Sequence, residues 1–165
     1  MAIPLVTVIG KSGCGKTTLL EKLVAELKRR GYRLATVKHH SHRGFDIDKP
    51  GKDSWRFAQA GSDHVVIASP DKIASYRKIE HELSLDEIAA SISDVDLILV
   101  EGYKQAEKPA LEVVRAENNR ELIGNREQRF AVAADFPLAL GIPQFALDDV
   151  QGITDLIERR FLKQS

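Results

Sequence analysis

The sequence has a single cysteine, no excess charge of either sign and no long apolar run. Because Cys14 is the only cysteine, an intrachain disulfide is excluded. The 24 Lys and Arg residues balance the 24 Asp and Glu residues, which excludes a strong overall field for nucleic acid or an anionic membrane. No stretch is long enough to span a bilayer, and no charged leader opens the chain. We therefore expect a cytoplasmic protein without nucleic-acid or membrane partners, in which any anion is bound at a local site.

The rest of the composition is that of an ordinary globular domain. Of the 165 residues, 43% are apolar and 29% are charged. This is enough apolar material to close a core. We expect one compact domain over residues 1–165.

Patterns typical of strands and of helices alternate along the chain. The largely apolar segment at residues 4–10, PLVTVIG, predicts a buried first strand, and an apolar stripe at helical spacing over residues 18–30 predicts a helix. Residues 32–38 predict the next strand. This alternation indicates an α/β fold of the P-loop NTPase type, a largely parallel twisted sheet flanked by helices. Further strands are predicted at 64–69, 96–100, 111–114, 130–134 and 144–147, and further helices at 53–60, from residue 84 and near 153–161.

A glycine-rich segment joins the first strand to the first helix. Residues 10–17, GKSGCGKT, match the phosphate-binding pattern G-x-x-x-x-G-K-[ST] in the strand-to-helix position that it requires. Glycines let the backbone turn its N–H groups toward a phosphate, and the helix dipole adds positive charge. Lys16 is expected to reach the β and γ phosphates, and the Thr17 hydroxyl to bind Mg²⁺. The segment predicts binding of a purine nucleoside triphosphate with Mg²⁺.

The residues of this segment assigned to the nucleotide are Gly10, Lys11, Ser12, Gly13, Cys14, Gly15, Lys16, Thr17 and Thr18. Lys11 has two interpretations. It resembles the early lysine of dimeric P-loop ATPases, which reaches the partner subunit's nucleotide, although Ser12 replaces the usual glycine; the alternative is a solvated surface lysine. Cys14 is either a redox-sensitive thiol activated by the helix N-terminus or a small passive residue.

Carboxylates are needed to hold Mg²⁺ and to orient an attacking water. Glu101 directly follows the apolar run at residues 96–100, where a carboxylate without a partner is costly. Asp46, Asp48 and Asp53 lie in the polar segment after the second strand, where aspartates also form turns. The resulting assignments are Lys16, Glu101 and Asp48 for catalysis, and Thr17, Asp48 and Glu101 for the metal.

Three histidines, His39, His40 and His42, lie together in the same polar segment. Imidazoles bind zinc and nickel in many proteins. However, Zn²⁺ sites normally have four convergent ligands, and neither a cysteine nor a second histidine pair accompanies this group. A substrate-facing or simply polar loop is the alternative to a metal site.

Four segments together resemble the MobB family of molybdopterin-guanine dinucleotide biosynthesis adapter proteins, over nearly the whole chain. They are GKSGCGKTTLL at 10–20, VKHH at 37–40, DIDKPGKDSWR at 46–56 and LILVEGYK at 97–104. The resemblance implies a homodimeric, GTP-binding protein with weak GTPase activity that assists the guanylyltransferase attaching GMP to molybdopterin. It also implies that Lys16 and Thr17 bind phosphate and Mg²⁺, that Asp48 and Glu101 lie at the metal side, and that residues 39–53 face the molybdopterin-type cofactor.

The base preference is not given by a known motif, because the guanine-reading pattern N-K-x-D does not occur in the sequence. A carboxylate can accept two hydrogen bonds from guanine, at N1–H and the amino group. Asp135, after the predicted strand at residues 130–134, is our candidate for this contact. An ordinary strand-ending aspartate is the alternative.

Two other functions use the same phosphate loop. A small-molecule kinase would need an arginine-rich lid; Arg115, Arg120, Arg126 and Arg129 occur in the second half of the chain, but without a compact lid pattern. A GTP-dependent metallochaperone would use the histidine group as a metal carrier. The adapter remains the favoured hypothesis.

Overall fold

The computed structural model describes residues 2–42, 44–118 and 120–163. The chain divides into two compact units, one formed by residues 1–39 and 85–165 and the other by residues 40–84. We describe each unit by itself. The expectation of a single domain rests on length and composition and stays a prediction.

The first unit is built on a six-stranded sheet in which every pairing is parallel, in the order β2-β5-β1-β6-β7-β8. This confirms the predicted parallel α/β architecture. The strands are β1 (Leu5–Ile9), β2 (Leu34–Lys38), β5 (Leu97–Glu101), β6 (Ala110–Val114), β7 (Arg129–Ala134) and β8 (Gln144–Phe145). The helices of this unit are α1 (Lys16–Arg29), α3 (Leu85–Ala90) and α4 (Val150–Ile157), and a π-helical turn (Glu158–Leu162) continues α4.

One face of the sheet is covered by α1 and α4. Leu19, Leu23 and Leu27 of α1 pack on Val6 and Val8 of β1 in the main apolar cluster. All five residues of β1 are buried, as predicted from its largely apolar sequence, and the strand is covered on both faces. Helix α4 begins at residue 150, earlier than its apolar stripe alone indicated. The aspartate before it, Asp149, accepts a hydrogen bond from the Gly152 N–H and caps the first turn.

The opposite face has two different covers. Helix α3 contributes Leu85, which packs on Ile98 and Val100 of β5. Beyond β1, the apolar side chains of residues 122–142 cover Val114 and Val132. Leaving out residue 119, the connections from β6 to β7 and from β7 to β8 are non-helical, and their side chains cover the sheet there in place of a helix.

A buried ion pair supports this irregular connection. Glu112 of β6 is fully buried, and one of its carboxylate oxygens accepts a hydrogen bond from Nε of Arg129 at 2.6 Å. The carboxylate also accepts from the backbone N–H groups of Ile123 and Gly124, and Arg129 donates to the Gly124 carbonyl. Burying an unpaired carboxylate is costly, so this set of partners explains how Glu112 is tolerated and why the connection follows one path.

The second unit contains α2 (Asp53–Gln59) and an antiparallel hairpin of β3 (His64–Ala68) and β4 (Ile73–Arg77). Helix α2 and β3 were predicted, but β4 was not, because only one large aliphatic residue, Ile73, marks it. Within this unit the Tyr76 hydroxyl donates to the Asp48 carboxylate at 2.8 Å. Hydrogen bonds from Ser54 and Tyr76 lower the pKa of Asp48.

A network of charges ties the end of α1 to the end of the chain. Arg30 donates to Glu26, Asp155 and Glu158, all at 2.7–3.0 Å. Hydrogen bonds from Arg29 and Arg30 lower the pKa of Glu26 to about 2. Only 8% of the Glu26 side chain is exposed, so solvent screens this cluster less than an ordinary surface pair. Among the described residues no helix has the length and apolar character needed to cross a membrane.

Loss of the Glu26 charge should weaken the folded state in acid. The pKa of Glu26 is lower in the folded state than the ~4.3 of a free glutamate, so its contribution is present above that value and disappears as the pH falls toward about 2. We expect Glu26→Gln to lower the free energy of unfolding at pH 7, with the difference from wild type shrinking between pH 4.5 and 2. Urea unfolding across this range measures it. Glu21→Gln, at an exposed position of α1, is the control; a Glu26→Gln difference independent of pH would contradict the interpretation.

Candidate nucleotide-binding site

The glycine-rich segment lies where β1 ends and α1 begins. Gly13 and Gly15 have φ angles of 76° and 96°, in the left-handed region that favours glycine. The N–H of Leu19 bonds to the carbonyl of Gly15, so the helix begins at the last residues of the segment. The amides that precede this first turn have no helical partner, which leaves them able to bind an anion.

Lys16 lies across the inside of the loop. Its ammonium donates to the carbonyl oxygens of Gly10 at 3.0 Å and Lys11 at 2.8 Å. The Lys16 side chain therefore has its charged end inside the ring of backbone that the sequence assigned to phosphate.

Thr17 and Glu101 lie together, as their shared assignment to a metal requires. The Thr17 hydroxyl donates to the Glu101 carboxylate at 2.9 Å. Pairing of β1 with β5 causes this proximity, since the register sets Val8 beside Glu101 and the Gly102 N–H bonds to the Val8 carbonyl. The Glu101 side chain is 17% exposed, and its other oxygen lies 3.8 Å from the ammonium of Lys38.

The chemistry of this pair fits Mg²⁺. A hydroxyl and a carboxylate are hard oxygen donors, and Mg²⁺ prefers oxygen ligands, with its remaining positions filled by phosphate oxygens and water. Thr17 and Glu101 are separated by one hydrogen bond beside the phosphate loop, so one ion would reach both, directly or through water.

Two residues that the sequence did not assign to the phosphate loop contact it from the segment that follows β6. Asn118 donates from its side-chain amide to the Ser12 carbonyl at 3.2 Å, and a Cβ on Gly13 would lie only 2.8 Å from that amide nitrogen. Arg115, directly after β6, lies beside Gly15. In the sequence, only their position shortly after a predicted strand could have indicated this contact. That position points to the phosphate loop only when β6 is known to pair with β1.

The remaining residues of the loop have ordinary partners. Lys11 forms an exposed ion pair with Glu121 at 3.4 Å, which accords with a surface lysine and leaves a contact with a second subunit untested. Cys14 is 2% exposed and belongs to the main apolar cluster, which favours the passive packing interpretation over a reactive thiol. Thr18 is exposed on the first turn of α1.

The other predicted site residues are placed as follows. Asp135 follows β7, and its carboxylate accepts from the Ala116 N–H at 2.8 Å. Asp48 belongs to the second unit and is bonded there to Tyr76. His39 stacks on Tyr103 at 4.3 Å between ring centroids, and the rings of His40 and His42 lie edge to face at 5.7 Å. Within the described ranges no group of three or more His, Cys, Asp or Glu side chains is arranged to hold a metal.

The parallel sheet and the glycine loop before α1 together define an α/β protein of the P-loop NTPase type. The chain belongs to the MobB family: the family described as "Molybdopterin guanine dinucleotide synthesis protein B" matches residues 5–135.

Curated relatives agree with this assignment. The chain is 40% identical over 158 residues to the "Molybdopterin-guanine dinucleotide biosynthesis adapter protein" of Haemophilus influenzae, covering 94% of this chain and 88% of the relative. It is 38% identical over 170 residues to the Escherichia coli protein of the same name, covering 99% and 96%.

Solved structures agree as well. A crystal structure of "molybdopterin-guanine biosynthesis protein B (mobB)" has a TM-score of 0.73 at 33% identity, covering 94% of this chain and 98% of the other. The structure of Bacillus subtilis MobB has a TM-score of 0.80 at 24% identity, covering 98% and 100%, and supports the fold.

Gly10 should be irreplaceable on packing grounds alone. A Cβ at this position would overlap the carbonyl oxygen of Val113 and lie 2.7 Å from the sulfur of Cys14. Gly31 is the matched control, because its φ is also positive but a Cβ there meets no atom within 4 Å. We expect Gly31→Ala to cost only the ~1–2 kcal/mol of left-handed backbone, and Gly10→Ala to cost clearly more. Thermal unfolding of both variants measures this, and equal shifts in Tm would contradict it.

Proposed function

We propose that this protein is a GTP-binding adapter in the biosynthesis of molybdopterin guanine dinucleotide, acting in the cytoplasm. The observation that carries the proposal is the joint position of Lys16 inside the glycine loop and Thr17 against Glu101 at its edge. Membership of the MobB family, with relatives named as adapters over nearly their whole length, supports the pathway.

Phosphate binding would exchange the partners of Lys16. Its ammonium now donates to two backbone carbonyls, and a triphosphate offers charged acceptors in their place. A phosphate oxygen carries a full negative charge, so its Coulomb attraction for the ammonium exceeds that of a neutral carbonyl oxygen. The exchange therefore favours the bound state, while the backbone amides from Gly13 to Thr17 hold the phosphate oxygens.

Mg²⁺ would be held by Thr17 and Glu101. The ion would neutralise charge on the phosphates and help to orient the triphosphate. Weak hydrolysis follows from the same residues: Lys16 stabilises charge on the γ-phosphate, and Glu101 accepts a hydrogen bond from the attacking water. Both oxygens of the Glu101 carboxylate already have neighbours, the Thr17 hydroxyl and the Lys38 ammonium, which suits slow turnover.

The adapter would act on the guanylyltransferase that attaches GMP to molybdopterin. Residues 39–53 would face the molybdopterin-type cofactor, and GTP binding would alter the surface presented to the enzyme, with slow hydrolysis resetting it. The family match supports this function over a small-molecule kinase or a metallochaperone. Arg129, one of the arginines considered for a kinase lid, is engaged in the buried pair with Glu112.

We infer that the protein is a homodimer and that the second unit carries the contact. The large apolar side chains that are exposed in the described residues all belong to this unit: Phe45, Ile47, Phe57, Val66, Ile67, Ile73 and Ile79. Exposed apolar surface of this kind marks protein–protein contacts. Val66 and Ile73 lie on the same face of the hairpin, since Val66 pairs with Ser75 and Ala68 with Ile73.

Sedimentation equilibrium tests the dimer. We expect a dimer at micromolar concentration for the wild type and a folded monomer for Val66→Asp combined with Ile73→Asp. A monomeric wild type would contradict the inference, as would an unchanged dimer in the double variant.

The nucleotide function is tested with three variants of the full chain. We expect Lys16→Ala to abolish binding of GTP with Mg²⁺ by calorimetry, and Glu101→Gln to retain GTP binding while losing its dependence on Mg²⁺. Lys28→Ala, at an exposed position near the other end of α1, is the control and should bind as wild type. Addition of the chain should raise product formation by the guanylyltransferase, and Lys16→Ala should not.

Two outcomes would reject the proposal. One is wild-type affinity for GTP in Lys16→Ala with the fold intact by circular dichroism. The other is rapid transfer of the γ-phosphate to a small acceptor, which would make the protein a kinase.

A further inference from the structure

A small cleft borders the phosphate loop on the side of α1 that faces β6 and β8. Its volume is about 110 Å³. This is well below the ~300 Å³ of a pocket that encloses a small ligand, so the cleft would receive part of one. Its lining residues are Cys14, Gly15, Thr18, Leu19, Lys22, Val113, Arg115, Leu147 and Asp148. Because Gly15 and Thr18 are shared with the phosphate loop, a ligand held by the loop would extend directly into the cleft.

Arg115 lines the cleft, and one of its donors has no acceptor. Nε of Arg115 is buried and, in the part of the chain that the structure describes, has no hydrogen-bond partner. Leaving such a group unsatisfied costs ~1–3 kcal/mol or more for a charged group. In folded proteins nearly all buried polar atoms have a hydrogen-bond partner. An acceptor group that enters the cleft beside the Arg115 guanidinium would supply one.

The cleft also contains a carboxylate that is not otherwise used. Asp148 lies just after β8, and among the described residues its side chain has no hydrogen bond or ion pair within reach. Leu19, Val113 and Leu147 supply apolar walls between these polar groups. The cleft therefore combines a donor, a carboxylate acceptor and apolar walls. These groups are complementary to a planar heterocycle with acceptors on one edge and donors on another.

Guanine has this pattern of groups. It presents O6 and N7 as acceptors, and N1–H and its exocyclic amino group as donors. Adenine presents an amino donor where guanine has O6, and it has no amino group at C2. An arginine donor and an aspartate acceptor in one cleft therefore favour guanine over adenine.

Asp135, the candidate from sequence, has a different contact. Its carboxylate accepts from the Ala116 N–H, which holds the turn that directly follows Arg115. This contact makes Asp135 a support for the arginine's position.

We propose that this cleft is the base subsite of the bound nucleotide, in which Arg115 donates to the O6/N7 edge of guanine and Asp148 accepts from N1–H and the amino group. The proposal rests on the proposed GTP binding and adds the residues that select guanine.

The experiment compares affinities for GTP, ATP and inosine triphosphate by calorimetry. Inosine triphosphate lacks only the exocyclic amino group, so the ratio of its Kd to that of GTP isolates the contact made by that group. We expect wild type to bind GTP about tenfold more tightly than inosine triphosphate, as one hydrogen bond to a charged acceptor predicts. In Asp148→Ala this ratio should fall to about one, because alanine has no side-chain acceptor for the amino group.

Two further variants separate contact from structure. Arg115→Lys keeps the charge but removes Nε–H, and should weaken GTP about tenfold while leaving the ratio of GTP to inosine triphosphate unchanged. Asp94→Asn is the matched control, since Asp94 precedes β5 at the amino-end edge of the sheet, away from the phosphate loop. The Tm values of all variants should equal that of wild type. An unchanged Tm shows that a lost affinity ratio is not caused by unfolding.

The outcomes distinguish failure of GTP binding from failure of the base subsite. If wild type binds no triphosphate at all, the GTP function itself fails. If wild type binds GTP but Asp148→Ala keeps the tenfold ratio, only the base subsite is overturned. If the ratio is lost in Asp135→Asn and kept in Asp148→Ala, the amino group is read by Asp135 and the present assignment is wrong.

Discussion

Parallel pairing of β1 on both of its edges is the constraint on which the functional end of this molecule depends. On one side, β5 delivers Glu101 to the position beside Val8, where Thr17 meets it. On the other side, β6 carries Val113 against Gly10 and Arg115 against Gly15. Because parallel strands end at the same edge of a sheet, all of these groups converge around the loop that β1 feeds into α1.

The phosphate loop needs local donors because the chain offers no general attraction for an anion. Its charges cancel over the whole sequence, so the field at the loop comes from the first turn of α1 and from the ammonium of Lys16. The loop carbonyls of Gly10 and Lys11 hold that ammonium in place before any ligand arrives. Preorganised charge of this kind reduces the entropy lost on binding.

Sequence patterns predicted the parts of the fold that depend on neighbours along the chain. β1, α1 and β5 each bury a continuous or helically spaced apolar set, so their positions were predicted to within a few residues. β4 was missed because its residues are mostly polar and it pairs only with β3 in the hairpin. The order of the strands could not be predicted, because no local sequence pattern indicates that β5 lies between β1 and β2. For the site, the motif identified Lys16 and Thr17, and the apolar run identified Glu101. Asn118 and the Glu112–Arg129 pair depend on contacts between segments far apart in sequence, which single-chain periodicity does not encode.

The close packing around Gly10 affects how the glycine motif should be interpreted in distant descendants of such a protein. The first glycine is required by the carbonyl of Val113 and the sulfur of Cys14, two neighbours within the core, whether or not a ligand is ever bound. Selection for a stable fold would then preserve this glycine after nucleotide affinity had been lost by drift. Retention of Gly10 alone is therefore evidence of an inherited architecture, and retention of Lys16 is the more informative sign that the ancestral chemistry survives.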